Sequence, residues 1–319
     1  MKTLVTGGTG FVASNIVRTL AGQGEQVVSF DLVPPSDLLR AYIEPWAERV
    51  TFIQGDLLSQ DELDAVLEQD IKRIVHAAVF TGLFPNIEAG RSRDIVAINV
   101  MGTTNVLEMA RKLSIERFLY VSSGAVYGDD HPDRVLTEES APRPHTLYAV
   151  TKYVSELLTR RYGELHGFPT VSVRLGSPYG PMERVTGHRA NQSLFKDWTG
   201  NIVRGEPIEV GDRSVEQVFS YVLDIAGGIC AVLNAPSLSY DVYNVSTGEQ
   251  ASLERIVAVL RDLHPGLQVL DKPEAGPPRG GRKLKAQRLM RDVGFRPRYD
   301  LRSGLEEYLD WRRANNFTE

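Results

Sequence analysis

A glycine-rich turn directly after the first strand limits this chain to few architectures. Lys2–Thr6 is predicted to be a buried strand, the run Gly7-Gly8-Thr9-Gly10-Phe11-Val12-Ala13 follows, and Ser14–Leu20 then repeats with helical period. The run contains both the G-x-G-x-x-A and the G-x-x-G-x-x-A spacing. Glycines permit a tight turn, so that backbone amides at the helix start can approach a pyrophosphate. The turn predicts a dinucleotide site with contacts from Gly7, Gly10, Phe11 and Val12.

Carboxylates follow the next two predicted strands. Gln26–Phe30 ends at Asp31, about 20 residues beyond the turn, where a carboxylate can accept from a ribose 2′-hydroxyl. Asp31 would repel a 2′-phosphate, so NAD is favoured over NADP; the alternative is a residue that only starts a loop. Arg49–Gln54 is followed by Asp56 and Leu57. Asp56 either hydrogen-bonds the adenine edge or caps the next helix, predicted over 61–68.

Strands and helices alternate up to about residue 176. Further strands are predicted at Ile71–Val75, Glu116–Ser122 and Thr170–Leu175, and helices at Ile95–Leu113 and Tyr148–His166. This alternation predicts an α/β fold, a Rossmann-type doubly wound parallel sheet with right-handed crossovers. Ligands bind beyond the carboxyl ends of strands in such sheets. The candidates at those ends are Asp31, Asp56, His76, Ala77, Ala78, Ser123 and Ser177, and of these His76 is interpreted as structural.

The helix Tyr148–His166 opens with a tyrosine and a lysine four residues apart. Residues at this spacing share one helical face, so the phenol of Tyr148 and the ammonium of Lys152 point the same way. A free tyrosine has a pKa of about 10, and a nearby ammonium favours the phenolate. The pair is therefore a candidate acid/base, and the alternative is an ordinary helix surface. Asn99, on the preceding predicted helix, is expected to face solvent.

Regular alternation weakens after Ser177. A helix is predicted over Asn191–Val203, a short strand over Pro207–Val210, and a strand-turn-helix unit over Val218–Leu233. We expect an NAD-binding domain at residues 1–176 plus about 216–234. About 177–215 and 235–319 would form a smaller C-terminal α/β substrate lobe, including Tyr240–Val245. Pro and Gly are frequent in 273–281, which is interpreted as a loop near the cleft.

Composition excludes several classes of function. The net charge of −5 argues against nucleic acid or an anionic membrane as the main partner. No apolar run approaches the roughly 18 residues of a membrane span, and no charged leader with an apolar region precedes Thr3. The histidines never fall at metal-ligand spacing with another His or Cys. A single cysteine, Cys230, fits a reducing cytoplasm. We expect a cytoplasmic protein without a metal.

The ordered set of these motifs resembles an extended short-chain dehydrogenase/reductase, more narrowly the NAD-dependent epimerase/dehydratase family and UDP-glucose 4-epimerases. The resemblance covers nearly all residues to about 235. It implies that Tyr148 is the acid/base, that Ser123 hydrogen-bonds the reacting oxygen and that Lys152 binds the nicotinamide ribose and lowers the tyrosine pKa. It further implies cofactor contacts at Asn99 and Pro178, and a homodimer through the Ile95–Leu113 and Tyr148–His166 helices.

Three departures from the family pattern bear on the substrate. Family dehydratases carry Asp-Glu where this chain has Gly124-Ala125, which disfavours net dehydration. Nucleotide-sugar epimerases usually carry Asn at Ser177 and an arginine at Gln217 that would pair a diphosphate. Substrate candidates are accordingly Ser123, Ser177 and Arg282, with Arg204 and Arg213 as further possible diphosphate contacts.

The sequence therefore predicts an NAD-dependent enzyme that transiently oxidises a secondary hydroxyl of a sugar, with an epimerase favoured slightly. The substrate is a sugar or a nucleotide sugar. A net dehydrogenase of a small sugar or sugar acid uses the same residues and remains the alternative. A non-catalytic NAD-binding regulator is disfavoured because the Ser123, Tyr148 and Lys152 set is complete.

Overall fold

The computed structural model describes residues 1–82, 84–129, 135–189, 192–246, 250–272 and 283–317. Its strands are β1 (Lys2–Thr6), β2 (Gln26–Asp31), β3 (Val50–Gln54), β4 (Arg73–His76), β5 (Arg117–Ser123), β6 (Val135–Leu136), β7 (Thr170–Leu175), β8 (Ser177–Tyr179), β9 (Ile208–Val210), β10 (Glu216–Tyr221), β11 (Val242–Val245), β12 (Gln250–Ser252), β13 (Val269–Asp271) and β14 (Lys283–Leu284).

The helices are α1 (Phe11–Gly22), α2 (Asp37–Ile43), α3 (Gln60–Asp64), α4 (Pro85–Gly90), α5 (Ser92–Val96), α6 (Gly102–Ala110), α7 (Leu147–His166), α8 (Leu194–Arg204), α9 (Val222–Asn234), α10 (Leu253–Leu263), α11 (Gln287–Asp292) and α12 (Leu301–Ala314). Shorter 3₁₀ turns lie at Glu44–Arg49, Ala65–Gln69 and Gly124–Tyr127, and a π-helical turn lies at Ala97–Met101. No helix among the described residues is both long and apolar enough to cross a membrane.

A seven-stranded parallel sheet forms the centre of the fold. Its order is β11-β7-β5-β4-β1-β2-β3, and every pairing in it is parallel. The strand order reverses between β1 and β4, so the crossovers on either side of this point lead in opposite directions. A crevice opens at such a switch point beyond the carboxyl ends of the strands. The predicted Rossmann-type architecture is confirmed, and the crevice lies next to the glycine turn.

The helix α7 begins and ends where its sequence provides caps. The Thr146 side chain accepts a hydrogen bond from the Ala149 amide at the N-terminus. Gly167, with φ +73°, takes the left-handed conformation that ends the helix. The predicted helix over 148–166 therefore differs from the observed one by a single residue.

The predicted helix Ile95–Leu113 is observed as an uninterrupted helical segment over 92–110, but it is not α-helical throughout. It consists of α5, the π-helical turn Ala97–Met101 and α6, so one extra residue is accommodated in its middle. A period of 3.6 apolar residues cannot reveal this local widening. Similarly, the helix predicted over 61–68 is the short helix α3 followed by a 3₁₀ turn.

The strand predicted at Tyr240–Val245 does not belong to the second lobe. Val242–Val245 is the edge strand β11 of the large sheet, where it pairs in parallel with β7. Its side chains Tyr243 and Val245 are buried in the core cluster shared with α1 and α9. Chain order alone misled the prediction, because this strand returns to the first sheet after a crossover through α8 and α9.

The second lobe has its own core. Helices α8, α10 and α12 pack around an apolar cluster that includes Phe195, Trp198, Ile256 and Leu305. The strand β10 pairs with β8 and β12 in a three-stranded sheet rather than joining the large one. It passes directly into α9, so the turn expected in this unit is absent there. β8 and β10 lie at the boundary between the two lobes.

Candidate active site

The backbone of the glycine turn lies so close to neighbouring residues that side chains at Gly7 and Gly8 would not fit. Gly7 has φ +69°, and a Cβ at this position would lie 2.6 Å from the Cα of Ala78. A Cβ on Gly8 would lie 2.1 Å from Oγ of Ser29. Gly10 is the N-cap of α1, and no side chain caps this helix end. The backbone can therefore approach a ligand, as a dinucleotide pyrophosphate requires.

Phe11 and Val12 are the first two residues of α1, as the cofactor prediction needs. Their amides belong to the first helical turn, where the positive end of the helix dipole favours an anion. The Phe11 ring is buried and faces the guanidinium of Arg189 at 4.9 Å. This end of α1 thus combines uncapped backbone donors with a nearby cation.

Asp31 is held beside the glycine turn by backbone amides. Its Oδ2 accepts from the Thr9 amide at 3.0 Å and its Oδ1 accepts from the Val33 amide at 3.0 Å. Each carboxylate oxygen can accept a further bond. The residue therefore both starts the loop after β2 and remains capable of accepting from a ribose hydroxyl, so the two interpretations are compatible.

Asp56 is not the cap of α3, one of its two predicted roles. The Ser59 side chain caps that helix by accepting from the Glu62 amide. Asp56 Oδ1 accepts from the Leu58 amide at 2.9 Å, and the half-buried carboxylate stays at the end of β3. Leu57 is buried next to it, and its carbonyl accepts from Asn105. The interpretation as an adenine contact remains a prediction.

The His76 side chain is enclosed by protein. Its Nδ1 lies 2.7 Å from Oγ1 of Thr6 and its Nε2 lies 2.9 Å from Oγ1 of Thr103. Burial, with a smaller contribution from the charge of Lys152, lowers the pKa of His76 to about 3. The ring is neutral and structural, as expected. The small residues after it, Ala77 and Ala78, border the crevice with part of their surface exposed.

Asn99 is buried, whereas the sequence predicted a solvent-facing residue. Its Oδ1 accepts from the Phe80 amide at 2.7 Å, and its Nδ2 donates to the Phe80 carbonyl and to Oγ1 of Thr151. The Asn99 carbonyl also accepts from Thr103 and Ser155. The side chain therefore holds α7 and the segment after β4 together. A cofactor contact of the Asn99 side chain, as predicted, would have to form in addition to these hydrogen bonds.

Ser123, Tyr148 and Lys152 meet where β5 ends against α7. Ser123 hydrogen-bonds Tyr148, and its Oγ also accepts from the Ala125 amide at 3.2 Å. Lys152 Nζ donates to the Val121 carbonyl at 2.7 Å and lies 4.8 Å from the centre of the Tyr120 ring. The neighbouring Ser122 is buried, which supports the choice of Ser123.

The pKa of Tyr148 differs from the expectation. Burial raises the pKa of this phenol above its ordinary value, and the hydrogen bond with Ser123 and the charge of Arg189 only partly offset the increase. Burial also lowers the pKa of Lys152 to about 7, against a smaller effect of Glu156. Desolvation therefore dominates the pKa of Tyr148 in the protein alone, and the role of Lys152 in lowering that pKa stays a prediction.

The predicted substrate residues are only partly brought together. Ser177 is exposed at the start of β8 and Pro178 is half-buried next to it. Arg282 lies outside the described residues. Arg213 pairs with Glu254 and Asp271 on the surface. Gly124 and Ala125, which follow Ser123, provide no carboxyl group to the site.

The segment that follows β8 supplies further site residues. Arg189 pairs with the buried carboxylate of Glu183, which also accepts from the Ser193 amide at the start of α8. The Nε of Arg189 is buried and has no hydrogen-bond partner among the residues that the structure describes. Arg184 donates to the Thr9 carbonyl in the glycine turn. Glu183 and Arg189 are only six residues apart, but no motif marks this segment, so their pairing could not be predicted from the sequence.

Comparison with known proteins gives consistent matches over the whole chain. The sequence profile of the NAD dependent epimerase/dehydratase family matches residues 3–246. A putative UDP-glucose 4-epimerase of Methanocaldococcus jannaschii is 29% identical over 99% of both chains. A dTDP-glucose 4,6-dehydratase of Streptomyces niveus is 30% identical over 99% of this chain and 94% of its own.

A solved structure extends the similarity to three dimensions. The UDP-glucuronic acid 4-epimerase of Bacillus cereus, in complex with UDP-glucuronic acid and NAD, superimposes with a TM-score of 0.83 at 25% identity. The match covers 99% of this chain and 100% of the other. The similarity therefore includes the second lobe, where the sequence motifs are weakest.

Proposed function

The chain belongs to the NAD dependent epimerase/dehydratase family, and from this membership we propose that it is an NAD-dependent epimerase of a nucleotide-linked sugar. The observation that carries the proposal is the convergence of Ser123, Tyr148 and Lys152 at the same sheet edge as the glycine turn. The relatives named for UDP-glucose and UDP-glucuronic acid support the substrate class.

The cofactor would lie along the crevice between β1 and β4. Gly7, Gly10, Phe11 and Val12 would contact the pyrophosphate, and Asp31 the adenine ribose. Further contacts would come from the other predicted cofactor residues, which are Asp56, Leu57, His76, Ala77, Ala78, Asn99, Tyr148, Lys152 and Pro178. For His76 the backbone is the part that would serve, since its ring is enclosed by Thr6 and Thr103.

NAD, when bound, supplies a reversible hydride acceptor and a positive charge near the site. Tyr148 then removes the proton from the substrate's secondary hydroxyl and later returns it. Ser123 donates a hydrogen bond to the same oxygen and fixes its position. Lys152 in its ammonium form stabilises the phenolate of Tyr148. The pKa of Tyr148, raised by burial, has to fall before the phenol can act as a base. This requires the positive charge of NAD and the ammonium of Lys152 to act on it together.

The two residues after Ser123 favour epimerisation over dehydration. Gly124 and Ala125 cannot donate or accept the protons with which a carboxyl pair would expel water. One relative is a dTDP-glucose 4,6-dehydratase, so dehydration is the alternative reaction. The residues Gly124 and Ala125 disfavour it. The chain would therefore return the hydride to the carbon from which it came.

A net dehydrogenase remains the second candidate. Gln217 stands where an arginine would pair a diphosphate, and Ser177 stands where an asparagine is usual. Both substitutions favour a smaller substrate such as a sugar acid. Arg189 is a candidate contact for an acidic group of either substrate, because its charge acts on Tyr148 and its Nε lacks a partner within the described part of the chain.

A homodimer through the long helices is part of the proposal. α7 packs against α5 and the π-helical turn, and both sides expose apolar residues. These are Val96, Met101, Val150 and Leu157, each more than a third exposed. Pairing of two such helix pairs would form a four-helix bundle and cover this surface. We also propose a cytoplasmic location, which the single buried cysteine, Cys230, supports.

The reaction is tested by incubating the protein with NAD and a panel of UDP-sugars, sugars and uronates. An epimerase converts a UDP-sugar to its epimer, detected by chromatography, without accumulating NADH at 340 nm. Stoichiometric NADH with a free sugar or sugar acid would establish the dehydrogenase instead.

The role of Tyr148 is tested by replacing it with phenylalanine. We expect turnover to fall by about 10²–10⁴-fold, the usual contribution of general acid–base catalysis, while NAD binding is retained. The control is Tyr153→Phe on the same helix, which should leave turnover near the wild-type value. Unchanged turnover in Tyr148→Phe would remove the catalytic assignment.

A further inference from the structure

Three charged side chains form a buried row behind the candidate catalytic tyrosine. Lys152 and Glu156 are one helical turn apart on α7, and Arg174 faces Glu156 from β7. Their exposed fractions are 2%, 4% and 4%. Such burial is unusual for charged residues and is tolerated only when they are paired. The row begins at Lys152, which the proposed reaction uses, and continues away from the crevice.

Both carboxylate oxygens of Glu156 are held by Arg174. Arg174 Nε donates to Glu156 Oε1 at 3.0 Å, and Arg174 Nη2 donates to Oε2 at 2.7 Å, which is a bidentate pair. The guanidinium lies 4.8 Å from the centre of the Tyr127 ring, and the Tyr127 hydroxyl donates to Asn244 Oδ1. Glu156 therefore cannot rotate away from the lysine without breaking this arrangement.

Lys152 needs an anion nearby to stay charged. Its Nζ has a hydrogen bond to the Val121 carbonyl and contact with the Tyr120 ring, neither of which carries a full negative charge. Burial alone favours the neutral amine, and Glu156 acts in the opposite direction. A neutral amine could not stabilise a tyrosine phenolate.

The other groups around Lys152 provide no substitute anion. Among the described residues, the titratable groups that face it are Tyr148 and Glu156 from α7, Tyr120 from β5 and His76 from β4, and Arg174 of β7 lies behind Glu156. Burial raises the pKa of the Tyr120 and Tyr148 phenols and lowers that of His76, so all three are neutral near pH 7. Arg174 is a cation. Among these groups, Glu156 is the one that carries negative charge.

We propose that Glu156, clamped by Arg174, is a positioning residue that keeps Lys152 in the ammonium form required by Tyr148. The inference rests on the proposed epimerase-type reaction. It assigns a role to an ion pair that does not border the substrate. Glu156 is not a catalytic residue in this scheme, because it acts only through the lysine.

The test is Glu156→Gln in the full-length protein with saturating NAD. Loss of the negative charge favours the neutral lysine, so the alkaline limb of the pH–turnover profile should move to lower pH. At about pH 8 we expect turnover to fall about tenfold, the effect of one unit of pKa, with little change in KM. Equal loss at all pH values would indicate a structural role only and overturn the inference.

In Glu156→Gln, Arg174 loses its charged partner and the protein could misfold, so a second variant is needed. In Glu156→Leu/Arg174→Met both charges are replaced by apolar groups, an exchange that buried pairs often tolerate. This variant should show the same alkaline shift. The matched control is Glu164→Gln on the exposed end of α7, where Glu164 pairs with Arg161 in solvent. Its profile should superimpose on that of the wild type.

A measurement that does not depend on turnover tests this inference separately from the proposed function. The titration of Lys152 can be followed by NMR with ¹³C-labelled lysine, and Lys152→Arg assigns its signal. The wild type should titrate at a higher pH than Glu156→Gln. Identical titration curves would overturn the role of Glu156 even in an active enzyme. A wild type without activity on any sugar would instead overturn the proposed reaction, while the titration still tests the ion pair.

Discussion

At the scale of the residue, the buried ammonium of Lys152 should make stability depend on pH. Its pKa of about 7 lies below the ordinary 10.5 of the unfolded chain. The native state is therefore penalised fully below pH 7, and the penalty disappears as pH rises toward 10.5. Lys152→Met lacks this penalty, so its stability advantage over the wild type should be largest at low pH. Between about pH 6.5 and 9.5 the difference should shrink by roughly 3 kcal/mol.

Urea unfolding at the two pH values measures this difference. Loss of the hydrogen bond to Val121 lowers the stability of Lys152→Met at both pH values alike, so it does not alter the expected slope. The exposed Lys112 provides the control, because its ammonium is solvated in both states. A constant difference for Lys152→Met would mean that the native lysine is not desolvated.

The residues of the site were predictable where spacing alone defines them. The four-residue interval between Tyr148 and Lys152 and the glycine turn needed no tertiary information. The direction of the Tyr148 pKa was not predictable, because it depends on how completely the phenol is buried. Arg189 was missed for a related reason, since only the folded loop brings it to Phe11.

At the scale of the element, the Asn99 side chain should hold the π-helical turn in place. Asn99→Ala leaves the amide and carbonyl of Phe80 buried without their partners. We expect a loss of about 2–6 kcal/mol in the free energy of unfolding, the sum expected for two buried groups left unsatisfied. Asn105→Ala, on the same helical segment, removes one partly buried bond to Leu57 and should cost about 1 kcal/mol. Equal losses in the two variants would contradict this role.

Elements with local signals were predicted well, and those defined by distant contacts were not. The strands β1 and β7 have the predicted bounds, because buried apolar runs and turn residues mark them. The π-helical turn depends on Asn99 reaching across to Phe80, a contact 19 residues away in sequence. No periodicity within the helix encodes it.

At the scale of the whole molecule, the division into lobes followed chain order too closely. β11 belongs to the large sheet although it comes after the first segment of the second lobe. Parallel pairing with β7 determines its place, and no local feature of 242–245 states which sheet it will join. We propose that the remaining second lobe, with the core around Phe195 and Ile256, binds the substrate.

The proposed homodimer makes the exposed apolar surface of α5, the π-helical turn and α7 the place to test assembly. Met101 and Leu157 are 51% and 39% exposed on the two sides of this surface. In Met101→Arg/Leu157→Arg two charges would have to be buried in the bundle, which is strongly unfavourable without partners. Light scattering at micromolar concentration should give twice the chain mass for the wild type and the chain mass for the variant. Leu270→Arg, an exposed leucine on β13 of the second lobe, should stay dimeric. A wild type of monomer mass would contradict the assembly, and turnover measured alongside would show whether each site works without a partner.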